Sequence, residues 1–136
     1  MDIAEAVAFA RDHHRSVLAT RRADGSPQLS PVVHAVDAEG RVMISTREPA
    51  MKVRNLRRDD RASLCVLSNA FFGSWAQLEG TCEIVPLPDG MPLLEFVYRA
   101  VAGEHPDWEE FRRAMVQEQR VVLRITPTAG GPSRSG

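Results

Sequence analysis

The stretch that decides the fold is SVLATRRADGSPQLSPVVHAVDAEGRVMIST, residues 16–46. It opens with an apolar, β-prone run from Ser16 to Arg21. The chain then meets Asp24-Gly25, a pair suited to a tight hairpin because glycine takes the positive φ such a turn needs. A return run covers Pro27 to Asp37 and contains Pro31. Proline has no N–H to give to a ladder, so this strand is expected at an edge or with a bulge. Ala38-Glu39-Gly40 is the next turn, and Arg41 to Thr46 is the third run. Three sequential strands joined by short turns predict an antiparallel meander. With no crossover helices between them, a doubly wound parallel sheet is excluded.

Working outward, residues 2–13 predict an amphipathic helix. Asp2 stands as N-cap with Glu5 three residues on, and Ile3, Ala6, Val7 and Ala10 share one face. Downstream, residues 48–60 predict a helix with Pro49 in its first turn, and 61–68 a strand. Residues 69–73 predict a loop with two adjacent phenylalanines, and 74–86 a long strand interrupted by Gly80. Residues 93–103 predict a helix closed by Gly103, and 104–119 a second one with Asp107 as a cap. Residues 120–125 predict the last strand. The expectation is a mainly β domain over residues 1–126: a six-stranded, closed or nearly closed small barrel with accessory helices. Residues 127–136 are rich in Gly, Pro and Ser and are expected to form a disordered tail.

Composition narrows the class. The chain has 136 residues, enough for one domain, and its 43% apolar and 26% charged content is that of a globule with a core. No apolar run reaches the ~20 residues of a membrane span. The net charge of −1 offers no global attraction for nucleic acid. Cys65 and Cys82 are too few for a disulfide scaffold, so a cytoplasmic protein with two reduced thiols is expected.

The chain carries no G-x-S-x-G elbow, no H-E-x-x-H, no C-x-x-C and no glycine-rich phosphate loop ahead of a helix. His13 and His14 lie at a helix end, His34 reads as a structural strand residue, and His105 belongs to a turn. No side chain is therefore assigned as catalytic, and an enzyme built this way would leave the chemistry to a cofactor.

The informative segment is REPAMKVRNLRRDDR, residues 47–61, with six basic and three acidic residues. Of the chain's 17 basic residues one is a lysine, Lys52, and it falls here. On a helix Lys52 and Asn55 share a face and could meet one anion together with the positive helix start. Arg54, Arg57, Arg58 and Arg61 form a separate stripe, with Val53 and Leu56 as the apolar anchor. Phe71, Phe72 and Trp75 are candidates for a groove wall or for core.

These pieces together resemble a known family. They are Leu18-Ala19-Thr20, Asp24-Gly25-Ser26-Pro27-Gln28-Leu29-Ser30, Lys52-Val53-Arg54-Asn55-Leu56-Arg57-Arg58-Asp59, and Tyr98 through Trp108. The order is similar to the split-barrel flavin and deazaflavin oxidoreductases, the pyridoxamine 5′-phosphate oxidase-like superfamily, in the actinobacterial branch that uses coenzyme F420. The resemblance implies a six-stranded antiparallel split β-barrel that forms a homodimer with cofactor sites between protomers. It places the cofactor phosphate on Lys52 and Asn55. Gln28, Leu29 and Ser30 would lie near the ring and its side chain, and Ser45, Thr46 and Arg47 would touch the same chain. Trp75 and Gln77 would reach the site from the partner protomer. Where relatives often carry a basic residue, this sequence has Ala50, and after Thr126 it lacks their His- and Tyr-containing segment.

The expected activity is hydride transfer between coenzyme F420 and a small electron-poor organic acceptor. FMN in a pyridoxamine-phosphate-oxidase-like enzyme is the alternative, as is a non-catalytic flavin or deazaflavin carrier. Neither nucleic acid nor membrane is an expected partner.

Overall fold

In a computed structural model describing residues 1–132, the meander is formed by β1 (Arg15–Arg21), β2 (Pro27–Val36) and β3 (Val42–Arg47). Gly25 turns the first hairpin at φ +86°. The remaining strands are β4 (Arg61–Leu67), β5 (Trp75–Val85) and β6 (Arg120–Gly131). β1 bonds to β2 on one side and β4 on the other, closing an antiparallel barrel in the order β1-β2-β3-β6-β5-β4.

The closure is uneven. β2 pairs with β1 from Pro27 to Val33, but with β3 only through His34, Ala35 and Val36, which face Ile44, Met43 and Val42. Beyond His34 and Ile44 the two strands part. Pro31 therefore sits on a locally free edge, where its missing N–H costs no ladder bond. The edge expected from the sequence is real, although β2 is a barrel strand.

Alternation fills the interior. Leu18, Leu64, Val66, Leu78, Leu123 and Ile125 point inward and are buried. Helix α1 (Ile3–Asp12) adds Ala6, Val7 and Ala10 to this core, and α2 (Met51–Arg58) adds Val53 and Leu56. Asp2 caps α1 by accepting from the Glu5 N–H at 2.8 Å. A second apolar layer lies outside the barrel. There Leu94 and Val97 of α3 (Met91–Ala102) and Phe111 of α4 (Trp108–Gln117) pack with Ala35, Met43 and Val122. Asp107 caps α4 through the Glu110 N–H at 3.2 Å.

Several boundaries differ from expectation. Pro49 stands ahead of α2, whose N-cap is Ala50. The helix ends at Arg58 because Asp59 is extended and its carboxylate takes the Arg61 N–H and guanidinium. Arg61 thus opens β4, and the arginine stripe is divided between two elements. α3 begins at Met91 with Pro92 in its first turn, and α4 begins only at Trp108.

The largest correction is at the carboxyl end. Residues 127–131, expected in a disordered tail, continue β6 and pair with β5 as far as Gln77. Two glycines allow this. A Cβ on Gly80 would lie 2.2 Å from the Thr126 carbonyl oxygen, at the bulge between Glu79 and Gly80. A Cβ on Gly130 would lie 2.8 Å from the Asp2 carbonyl oxygen, so the start of α1 rests directly on this strand. The amino terminus also donates to the Pro132 carbonyl. Residues 133–136, the rest of the expected tail, lie outside the described residues. No helix among the described residues is long and apolar enough to cross a membrane.

Candidate functional site

The parting of β2 and β3 makes a cavity of about 640 Å³. Pro31, Val32 and Val33 form one lip and Ser45, Thr46 and Arg47 the other. Leu94, Val97, Tyr98 and Val101 of α3, with Phe111 and Met115 of α4, supply an apolar wall. The volume and mostly apolar lining are those of a small-molecule site.

Its polar residues gather where β3 runs into α2. Arg47, Ala50 and Lys52 line the cavity there, with Arg120 of β6 opposite Arg47 in the sheet register. Arg120 is neutralised by Glu118, with Nη2 2.8 Å from Oε1. None of the ion pairs among the described residues uses Arg47 or Lys52. α2 also starts without a side-chain cap, since Ala50 can offer none to the N–H groups of the first turn. Two uncompensated cations and a bare helix start create positive potential at one end of an apolar groove.

Of the residues singled out in the sequence, Ser45, Thr46, Arg47 and Lys52 line this cavity together. Asn55 does not join them. It is 1% exposed, donates through Nδ2 to Thr20 Oγ1 at 3.0 Å and accepts at Oδ1 from Arg58 at 3.1 Å. One helical turn separates Lys52 from Asn55, but the barrel rotates Asn55 into the core. Asn55 is absent from the lining of the cavity and holds α2 against β1.

Thr20 donates in turn to Gln28 Oε1 at 3.2 Å, so Gln28 belongs to the same chain of bonds. Leu29 is 61% exposed on the outer face of β2. Ser30 is not itself among the cavity-lining residues but adjoins the lip residue Pro31, and its buried Oγ has no hydrogen-bond partner among the described residues. A buried hydroxyl without a partner costs free energy, and it is a candidate contact for a ligand. Trp75 and Gln77 point out of the barrel, because their neighbours Ala76 and Leu78 point in. They do not line the cavity of their own chain, nor do Phe71 and Phe72, which are 78% and 97% exposed.

The histidines lie elsewhere. His34 is fully buried, with Nε2 2.9 Å from the Ala10 carbonyl and Nδ1 2.8 Å from Ser16 Oγ. A carbonyl only accepts, so Nε2 carries the proton and Ser16 donates to Nδ1. Burial pushes the His34 pKa down, with the Ala10 carbonyl opposing. His105 accepts from the Asp107 N–H at 2.9 Å within its turn. Neither histidine nor cysteine is among the cavity-lining residues. Cys82 is buried, and its thiol is pushed up to about 12 by desolvation.

Reading along the chain missed the α3 and α4 wall and Arg120. Their apolar spacing predicts helices that bury a face somewhere, and no local signal names the strand edge they cover.

A closed six-stranded antiparallel barrel whose β2 and β3 part to leave a groove is a split barrel, and that fold is the class of the protein. The family model described as pyridoxamine 5′-phosphate oxidase matches residues 3–132, and the chain belongs to this family. Among solved structures, it is similar to a conserved hypothetical protein from Mycobacterium tuberculosis. That match has 26% identity and a TM-score of 0.78, covering 100% of this chain and 92% of the other. It is also similar to a protein named F420 reductase, at 23% identity and TM-score 0.69, covering 91% and 94% of the two chains. The heme storage protein HutZ from Vibrio cholerae shares the fold at 16% identity and TM-score 0.71, covering 94% and 92%.

Proposed function

We propose that the chain is an oxidoreductase that holds a phosphate-bearing flavin-type cofactor in the split between β2 and β3. Coenzyme F420 is the first candidate and FMN the alternative. The observation that carries the reading is the cavity's polarity: a broad apolar wall, with Arg47, Lys52 and the uncapped start of α2 at one end. A tricyclic ring suits the wall, and a phosphate suits the cationic end.

Bound and reduced, such a cofactor supplies a hydride for an electron-poor acceptor, and solvent supplies the proton. The chain's own residues then have three tasks. Arg47 and Lys52 hold the phosphate. Ser30 Oγ donates to or accepts from the ligand. Val97, Tyr98, Val101 and Met115 keep water from the ring. Preference for F420 over FMN rests on the sequence resemblance around Lys52 and Tyr98 to Trp108. In the proposed homodimer, Trp75 and Gln77 come to the partner's groove.

Titration with oxidised F420 and, separately, FMN, followed by ligand fluorescence, tests the reading. Saturable binding of either is expected, and steady oxidation of the reduced cofactor by an acceptor separates an enzyme from a carrier. Lys52→Ala is expected to weaken binding by about 1.5–3 kcal/mol, the range of a hydrogen bond to a charged group. Unchanged affinity in that variant overturns Lys52 as the phosphate ligand.

A further inference from the structure

A second concave site lies at the far end of α2, and it shares no lining residue with the split cavity. It is a cleft of about 610 Å³ lined by Arg21, Arg22, Ala23 and Gly25 of the β1–β2 hairpin and by Arg57 through Arg61. Five of its nine lining residues are arginines, and they approach from two walls distant in sequence.

The partners of these arginines decide what the cleft can do. Arg61 is spent on Asp59, with Nε–Oδ1 at 2.9 Å and Nη2–Oδ2 at 2.7 Å. That pairing is the main cause holding Asp59 down at about 2, and Arg21 contributes through space. Arg57 pairs with Glu48. The other three make no ion pair, although Arg22 lies close enough to the Asp24 carboxylate to add, through space, to the lowering of its pKa by the Ser26 hydrogen bonds. Arg58 donates to the Arg21 carbonyl at 2.7 Å and to Asn55 Oδ1 at 3.1 Å, both neutral oxygens. Arg22 donates to the Pro27 carbonyl at 2.7 Å and, at 3.5 Å, to Ser26 Oγ. Arg21 has no ion pair or side-chain hydrogen bond to another described residue. Against these three guanidinium groups stand two carboxylates, Asp60 in the cleft and Asp24 at the hairpin turn beside Arg22.

Two ordinary explanations fall short. Cations near a helix C-terminus gain about 0.3–1 kcal/mol from the dipole, which accounts for Arg57 and Arg58. It does not account for Arg21 and Arg22, which come from a hairpin. Solvated surface arginines need no fixed geometry, whereas Arg58 is held by a side chain that is 1% exposed and is itself tied to Thr20. A guanidinium fixed by neutral acceptors keeps its charge and its unused N–H donors for a ligand.

We propose that this cleft is a second anion site, for a small ligand carrying a phosphate chain. Converging forks from two walls suit consecutive phosphate oxygens, and the surplus of positive charge suits a ligand with several negative charges in a short length. The chain's source, a free polyphosphate or a nucleoside polyphosphate, is distinguished by the probe.

The test is calorimetric titration of the full chain at low ionic strength with sodium tripolyphosphate and with ATP. Saturable binding is expected at a site that depends on Arg21 and not on Lys52. Arg21→Gln and Arg58→Gln are each expected to weaken it tenfold or more. Arg21→Gln is the decisive variant, since its guanidinium braces nothing else in the fold. Lys52→Gln is expected to leave the tripolyphosphate Kd within twofold, which separates this site from the proposed cofactor phosphate site. ATP binding more tightly than tripolyphosphate supports a nucleoside-borne chain, and equal binding supports a free one. No saturable binding, full binding by Arg21→Gln, or loss on Lys52→Gln overturns the proposal. So does tighter, steeply salt-dependent binding of a random single-stranded oligonucleotide through the same arginines, which would make the cleft a nucleic-acid surface.

Discussion

Asn55→Ala removes two hydrogen bonds from a residue that is 1% exposed. The bond to Thr20 Oγ1, 3.0 Å, joins neutral groups and contributes about 0.5–1.5 kcal/mol. The bond from Arg58, 3.1 Å, involves a charge and would contribute about 1.5–3 kcal/mol, taken at the low end because Arg58 is exposed. Thr20 keeps its bond to Gln28, so it is not left without a partner. The expected loss is about 2–3 kcal/mol, a large share of the ~5–15 kcal/mol of a typical domain. At about 3 °C per kcal/mol for a chain of this size, Tm falls by about 6–9 °C. Urea unfolding followed by tryptophan fluorescence should show a lower midpoint with an unchanged slope. Thr20→Val should be non-additive with it, since the two side chains share a bond. A midpoint unchanged within about 0.5 kcal/mol, with cofactor affinity clearly reduced, would refute this account and restore Asn55 as a ligand.

Two further outcomes follow from the core. The unfolded chain protonates His34 near 6.5, while the folded pKa lies lower, so stability is full above about pH 6.5 and declines as pH falls toward the folded value. His34→Gln should flatten that part of the urea-stability profile against pH, and a slope identical to the parent's would assign the acid loss to other groups. Gly80→Ala puts a methyl group 2.2 Å from the Thr126 carbonyl oxygen and should cost about 1–3 kcal/mol or more; a neutral effect in thermal unfolding would mean the β5–β6 bulge relaxes freely.

Much of the fold was legible because its signals are local. Asp24-Gly25 and Gly40 mark turns, Asp2 and Asp107 mark helix starts, and alternation marks the strands. The place of Lys52 beside a helix start was legible for the same reason, and the structure puts this lone lysine in the lining of the split cavity. The burial of Asn55 was not legible because helical spacing says which residues share a stripe, and not which stripe the barrel covers. The segment 127–131 was misread because its glycines look like linker composition. Two of their neighbours in space, Asp2 and Gln77, are far away in sequence.

The sequence by itself determined an antiparallel β-barrel fold, its helices, the family resemblance and the cationic segment. Periodicity, turn chemistry and charge are properties of neighbours along the chain, so they can be read there. Tertiary structure decided that β2 and β3 part after His34, that α3 and α4 wall the opening, that Asn55 is a brace, and that arginines from two elements converge. Those facts depend on register and closure between segments tens of residues apart, which no local pattern encodes.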